Sequence, residues 1–228
     1  EASTNAYSIT GSTPLVDSLL SVRYALYSEY IPNTDLVNYI QESGGTYLYE
    51  NLYTLPLGFV LPYDLADNWQ YQMENPAEVQ NDLCLLLGTD DVLVPVETEV
   101  SGSGCTFTAD MAGEYYVYIQ NKKVKNVKAS LPSGEKNFSN VDRGYLLEMG
   151  NLSEGSRITL TPGESGETLT AAVYRFSPRA MIQVYDRLSQ SPLHLDSWRD
   201  TKLTGTVTAA ESGTLFLSIP YDEGWTIT

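Results

Sequence analysis

The chain has 228 residues, 42% hydrophobic and 18% charged, an ordinary globular mixture rather than a disordered one. Its formal net charge of −16 would repel phosphate backbones and argues against nucleic acid as a partner. Its longest apolar stretches, such as LCLLLG at 83–88, are far too short to cross a bilayer.

Residue 1 is glutamate, and the opening EASTNAYSITGSTP is polar without a signal-peptide pattern, so residues 1–11 read as a disordered or cloning-derived end. The segment STPLVDSLLSV (12–22) carries a Ser/Thr cap, a proline in the first turn and apolar residues at helical spacing. VRYALYSE (22–29) alternates like a strand, and NTDLVNYIQES (33–43) reads as a second capped helix closed by Gly44-Gly45. TYLYENLYTLPLGFVLP (46–62) reads as two extended pieces around Asn51 and Pro56, and NPAEVQNDLCLLLG (75–88) as a helix. Residues 12–91 are therefore expected to form a small α/β portion.

From residue 92 the pattern turns to β. GEYYVYIQ (113–120), KKVKNVKAS (122–130), GYLLEMGNL (144–152), SRITLTP (156–162) and TLTAAVYRF (168–176) are short alternating segments. Turns rich in Gly, Ser and Asn separate them, the spacing of a sandwich. SPRAMIQVYDRLSQS (177–191) interrupts as one amphipathic helix. The fold expected is α+β, with the N-terminal α/β portion packed on an antiparallel, jelly-roll-like β-sandwich over 92–228.

Charge is uneven: residues 1–120 hold one basic residue, Arg23, against 17 acidic ones, and residues 121–228 hold 12 of each. An acidic surface that keeps an exposed domain in solution explains this. Lys123, Lys125 and Lys128 suggest the wet face of an edge strand.

No nucleophile elbow, phosphate-binding glycine loop or H-E-x-x-H is present, and no motif calls for a cofactor. His194 and Asp196 lie two residues apart but have no nucleophile tied to them. The pairs Asp64/Asp67, Asp90/Asp91 and Glu97/Glu99 read as a solvated acidic rim, and no calcium-loop or His/Cys zinc pattern exists, so no metal site is expected. Cys84 and Cys105 would pair as a disulfide if the domain is extracellular, or pack as buried thiols. Thirteen of the 17 tyrosines precede residue 120. Tyr47, Tyr49 and Tyr53 recur at strand spacing, where tyrosine faces either pack a core or interface or stack on sugars.

The ending GTLFLSIPYDEGW (213–225) resembles the C-terminal region of the bacterial membrane protein YfhO family, and VRYALYSE, YENLYTLPLGFV, NPAEVQNDLCLLLG and GYLLEMGNLSEGSRITL follow the same order. The resemblance implies large multi-pass proteins similar to membrane glycosyltransferases that decorate cell-envelope polymers from lipid-linked sugars. It implies that both ends are cuts within a longer chain, and that this region is the extracytoplasmic part on the outer face of a bacterial membrane. No family catalytic residue carries onto these positions; the residues that do carry are Ser218, Pro220, Tyr221, Gly224 and Trp225.

The function expected is a non-catalytic accessory domain. It would position an acceptor glycopolymer or brace the membrane core, with its own transmembrane region and a cell-envelope glycopolymer as partners. The alternative is a free-standing carbohydrate-binding module of sandwich type, with Tyr47, Tyr49, Tyr221 and Trp225 as binding residues. A stand-alone glycosidase rests on the carboxylate count alone. The final residues are expected to form a hairpin with Gly224 at positive φ, joining Leu215, Leu217 and Ile219 to Trp225 and Ile227 and burying Trp225.

Overall fold

The computed structural model describes residues 10–228. In chain order the elements begin with α1 (Pro14–Leu19), β1 (Tyr24–Tyr27), β2 (Val37–Ser43), β3 (Thr46–Asn51), β4 (Gly58–Pro62), α2 (Leu65–Asn68) and α3 (Pro76–Leu87). They continue with β5 (Leu93–Val96), β6 (Thr98–Ser101), β7 (Gly104–Thr108), β8 (Gly113–Ile119), β9 (Asn126–Leu131), β10 (Gly134–Ser139), β11 (Leu147–Leu152), β12 (Arg157–Pro162) and β13 (Ala171–Phe176). The last are α4 (Pro178–Leu188), β14 (Leu193–Arg199), β15 (Lys202–Val207) and β16 (Gly213–Leu217). The fold is α+β, every strand pairing among the described residues is antiparallel, and none of the sheets closes into a barrel.

The chain forms two compact units. Unit 1 takes residues 70–83 and 91–177 with the described residues up to Ser12; unit 2 takes 13–69, 84–90 and 178–228. Of the end expected to be disordered, residues 1–9 lie outside the described residues.

Unit 1 is the sandwich. One sheet runs β10-β9-β12-β7-β6 and the other β11-β8-β13-β5. The period of two sends Phe107, Val127, Ala129, Ile158 and Leu160 from the first sheet and Tyr115, Val117, Ile119, Leu147 and Val173 from the second into one shared core. The other face of β8 and β13 carries Tyr116, Tyr118, Tyr174 and Phe176, also buried. Asn75, just before α3, donates to the Tyr174 hydroxyl at 2.7 Å, and Asn81 exchanges two hydrogen bonds with the backbone of Leu93. The lysine-bearing strand is not an edge. It starts only at Asn126, lies between β10 and β12, and pairs Lys128 with Glu135 at 2.6 Å. β10 supplies the edge instead.

Unit 2 holds three smaller sheets, β1-β3-β2, β16-β4 and the β14-β15 hairpin, with α1, α2 and α4. Leu15, Leu19, Leu36, Leu55, Phe59, Leu65, Met181, Val184 and Leu188 are buried, and α4 contacts both α1 and β4. Phe59 packs on Phe216 across the β4–β16 pair with ring centroids 5.0 Å apart. Residues 33–43 are not a helix. Asn33 and Thr34 accept backbone hydrogen bonds from Tyr39, Leu36 and Val37 in the loop and turn that lead into β2. Gly44 and Gly45, at φ 59° and 78°, form the two-residue hairpin turn to β3 rather than a helix cap.

Candidate functional site

β3 brings the tyrosines together. Tyr39 stands directly opposite Tyr49, and Tyr27 opposite Tyr47, so all four project from one face of the β1-β3-β2 sheet. Tyr30 closes the group: the five rings meet with centroids 5.3–6.5 Å apart, four of the five contacts edge-on. Tyr49 is fully buried and Tyr47 partly so, whereas Tyr30 is 57% exposed. The Tyr49 hydroxyl donates to the Ile31 carbonyl and accepts from the Ile31 amide, at 2.7 and 2.6 Å. Tyr49 thus fastens the preceding loop to the sheet. Tyr53 lies elsewhere, edge-on to Tyr185 on α4 at 5.2 Å.

The expected closing hairpin is absent. β16 pairs with β4, and residues 218–228 form no strand. Asp222 instead makes a local turn, its side chain accepting from Gly224 N at 2.7 Å and its carbonyl from Trp225 N at 3.1 Å. Gly224 is not at positive φ. Trp225 is 45% exposed, Tyr221 is 89% exposed, and Ile227, Pro220 and Gly224 lie open, so Trp225 is no core residue. The packed side chain of β16 is Phe216; Leu215 and Leu217 are on the opposite, exposed face.

The carboxylates Asp64, Asp67, Asp90, Asp91, Glu97 and Glu99 are exposed, and no His/Cys/Asp/Glu group suited to a metal occurs among the described residues. Cys84 and Cys105 are buried as thiols and form no disulfide. Burial pushes the Cys105 thiol up to about 11, which keeps it neutral and unreactive.

Among the described residues, one concavity is a groove in unit 2 of about 650 Å³. Arg23 and Glu50 stand on one side, joined by a 2.9 Å ion pair, with Asn51 and Thr54 beside them. Tyr185 of α4, Ser189 just after that helix, Pro192 and His194 stand on the other. Leu52, Leu55, Pro56 and Leu57 supply apolar lining. The hydrogen bonds that Arg23 donates to the Glu50 carboxylate hold its guanidinium above the ordinary value, so it is fully charged. Ser218 reaches this site from outside the lining: its hydroxyl is 2.9 Å from that of Ser21 and donates to the Leu57 carbonyl at 3.2 Å, while its amide donates to the same carbonyl at 2.9 Å. Ser21 and Leu57 are both lining residues. Ser21 sits at φ 60°, an unusual backbone for serine, so Ser218 helps hold a strained corner of the groove.

A profile of the family described as bacterial membrane protein YfhO matches residues 97–228. The chain belongs to the YfhO family. No curated protein and no solved structure matches it. The YfhO match contains all five signature residues and the α4–His194 side of the groove, whereas Arg23 and Glu50 precede it, as do three of the four further motifs that carried the resemblance. No helix among the described residues is long and apolar enough to cross a membrane. Of the signature residues, only Ser218 touches the groove walls by hydrogen bonds. Sequence reasoning did not single out Arg23, Glu50 or Tyr185 as site residues; the one available signal was that Arg23 is the lone cation of the first 120 residues.

Proposed function

We propose that this region is a non-catalytic, extracytoplasmic accessory domain of a glycosyltransferase-like membrane protein, and that its groove in unit 2 holds the acceptor glycopolymer. The observation that carries the reading is the composition of the groove: an ion pair, an amide and hydroxyls facing a tyrosine ring, prolines and leucines. Sugar rings present apolar faces and polar edges, and such a mixed lining matches both. Membership of a membrane-protein family supports attachment to a membrane-spanning parent. The absence of a recognisable nucleophile, nucleotide loop or supported acid–base pair in the sequence supports positioning over chemistry.

The test is saturation-transfer NMR of the 228-residue chain with soluble cell-envelope glycopolymer fragments. Binding should occur, and both Tyr185→Ala and Arg23→Ala should weaken it about tenfold or more, since each loses about 1.4 kcal/mol or more of contact. No binding by the parent chain, or turnover of a lipid-linked sugar, would overturn the reading. The rival is sugar binding on the tyrosine face, favoured by the exposure of Tyr30. Affinity lost in Tyr30→Ala but kept in Tyr185→Ala would select it.

A further inference from the structure

The β14–β15 hairpin is amphipathic, yet its apolar face is open. Its register pairs Leu193 with Val207, Leu195 with Gly205 and Trp198 with Leu203. Paired residues share a face, so Leu193, Leu195, Trp198, Leu203 and Val207 lie on one side. The opposite side carries His194 with Thr206, Ser197 with Thr204 and Arg199 with Lys202. A bulge at Asp196 shifts the register by one residue, which keeps Trp198 on the apolar side. Trp198 is 74% exposed and Leu195 40%.

The apolar side continues onto the neighbouring pair. A β-carbon placed on Gly58 of β4 would lie 2.7 Å from Leu217 Cδ2 and 3.0 Å from Leu193 Cδ2, so these two leucines meet over the glycine. Val60 stands opposite Leu215 on the same face of that pair, and Leu215 and Leu217 are both exposed. Leucines, two valines and a tryptophan thus form one apolar surface across four strands, with Leu195, Trp198, Leu215 and Leu217 its exposed members. A soluble domain rarely leaves such a surface bare, and an isolated two-stranded hairpin is marginal in water.

We propose that this face is a lipid-contact surface that seats unit 2 on the bilayer, with Trp198 at the headgroup level and Arg199 and Lys202 at the same tip, on the polar side, where their long side chains reach headgroup phosphates. Three observations select the bilayer as occupant. The chain belongs to a membrane-protein family. Tryptophan flanked by cations is the side-chain set that partitions to membrane interfaces. Residues 193–207 carry two basic and two acidic side chains within a chain of net charge −16, so the hairpin is locally neutral and anionic headgroups would not repel it. A contact of modest strength suffices, because a membrane-bound parent would present the face at high effective concentration. This surface borders the glycan groove at Leu193, which belongs to both, while Trp198, Leu195, Arg199 and Lys202 lie outside the groove lining.

The experiment is co-sedimentation of the 228-residue chain with vesicles of phosphatidylethanolamine and phosphatidylglycerol, alongside tryptophan emission. The parent should bind with a blue shift, and Trp198→Ala should bind at least about tenfold more weakly, with Trp198→Phe retaining most affinity. The double change Arg199→Glu, Lys202→Glu should weaken binding to these vesicles and leave binding to phosphatidylcholine vesicles intact. Because Trp198 is exposed, the variants should melt with the parent; if Trp198→Ala does not, Leu195→Ser replaces it. No vesicle binding by the parent, or equal binding by Trp198→Ala, would overturn the proposal. So would a concentration-dependent dimer of the parent that Trp198→Ala abolishes, since the face would then cover a second copy.

Discussion

Replacing Tyr49 by phenylalanine removes one oxygen atom from unit 2 and asks whether β3 is held as a structural strand. The ring is fully buried and would stay in place, so packing is unchanged. What is lost is the pair of hydrogen bonds to the Ile31 amide and carbonyl, at 2.6 and 2.7 Å. An unsatisfied buried polar group costs about 1–3 kcal/mol, but Ile31 is only half-buried and water can recover part of each loss. About 2 kcal/mol in total is expected. The three tryptophans, Trp69, Trp198 and Trp225, all belong to unit 2, so their fluorescence during urea unfolding reports on that unit. With a slope of about 2 kcal/mol/M, the midpoint should fall by roughly 1 M. Tyr39→Phe, on the more exposed partner ring, should change stability by less than about 0.5 kcal/mol. A Tyr49→Phe protein that unfolds with the parent, or no earlier than Tyr39→Phe, would refute this account of the loop.

Gly104→Ala would drive a β-carbon into the Leu160 carbonyl between paired β7 and β12, and should cost more than about 4 kcal/mol or prevent folding; a parent-like melting temperature would contradict that packing. Thiol titration of the unfolded, unreduced chain should find both cysteines reactive, and the native protein should be slow to alkylate at Cys105, whose thiol burial pushes up to about 11. The Asp110 carboxyl, though burial opposes its charge, is held below its ordinary value by the Tyr115 hydroxyl and the Arg175 guanidinium. Its folded value is depressed, so its contribution is present above the ordinary carboxylate value and lost as pH falls through the lower folded one. Acid titration of stability should therefore be shallower in Asp110→Asn than in the parent.

The sandwich was legible where a strand alternates, as Ile158 and Leu160 do against Arg157 and Thr159, and from the β-branched and aromatic run of β8, which is apolar on both faces. Strand β2 was not, for a specific reason. Leu36, Tyr39 and Ile40 recur at helical spacing only because a bulge inserts Ile40 between the residues that pair with Tyr49 and Leu48. Cap-type side chains at Asn33 and Thr34 deepened the illusion, since the same short polar groups serve loops and helix starts alike. The same device hides in β14, where the bulge at Asp196 conceals a continuous apolar face. At the C terminus, alternation suggested that Leu215 and Leu217 point inward, yet a period of two cannot say which face is buried, and Phe216 takes that place against Phe59. The groove was illegible for another cause: Arg23, Glu50, Tyr185 and His194 come from distant segments and converge only in the folded unit. Ser218 alone linked motif to site.

The pairing of β4 with β16 also sets a timetable for synthesis. Gly58 and Leu217 face each other although 159 positions separate them. At roughly 5–20 residues per second, the ribosome delivers the second strand on the order of ten to thirty seconds after the first. Throughout that interval β4 lacks β16 along one side, and Phe59 and Leu61, later buried, wait for the later strand and α4. An apolar strand with an unpaired edge is a template for wrong partners, including the same strand on a neighbouring nascent chain. Unit 2 is thus the part of this protein most dependent on protection while it is being made, and slow or stalled translation between residues 62 and 213 should raise aggregation more than stalling elsewhere.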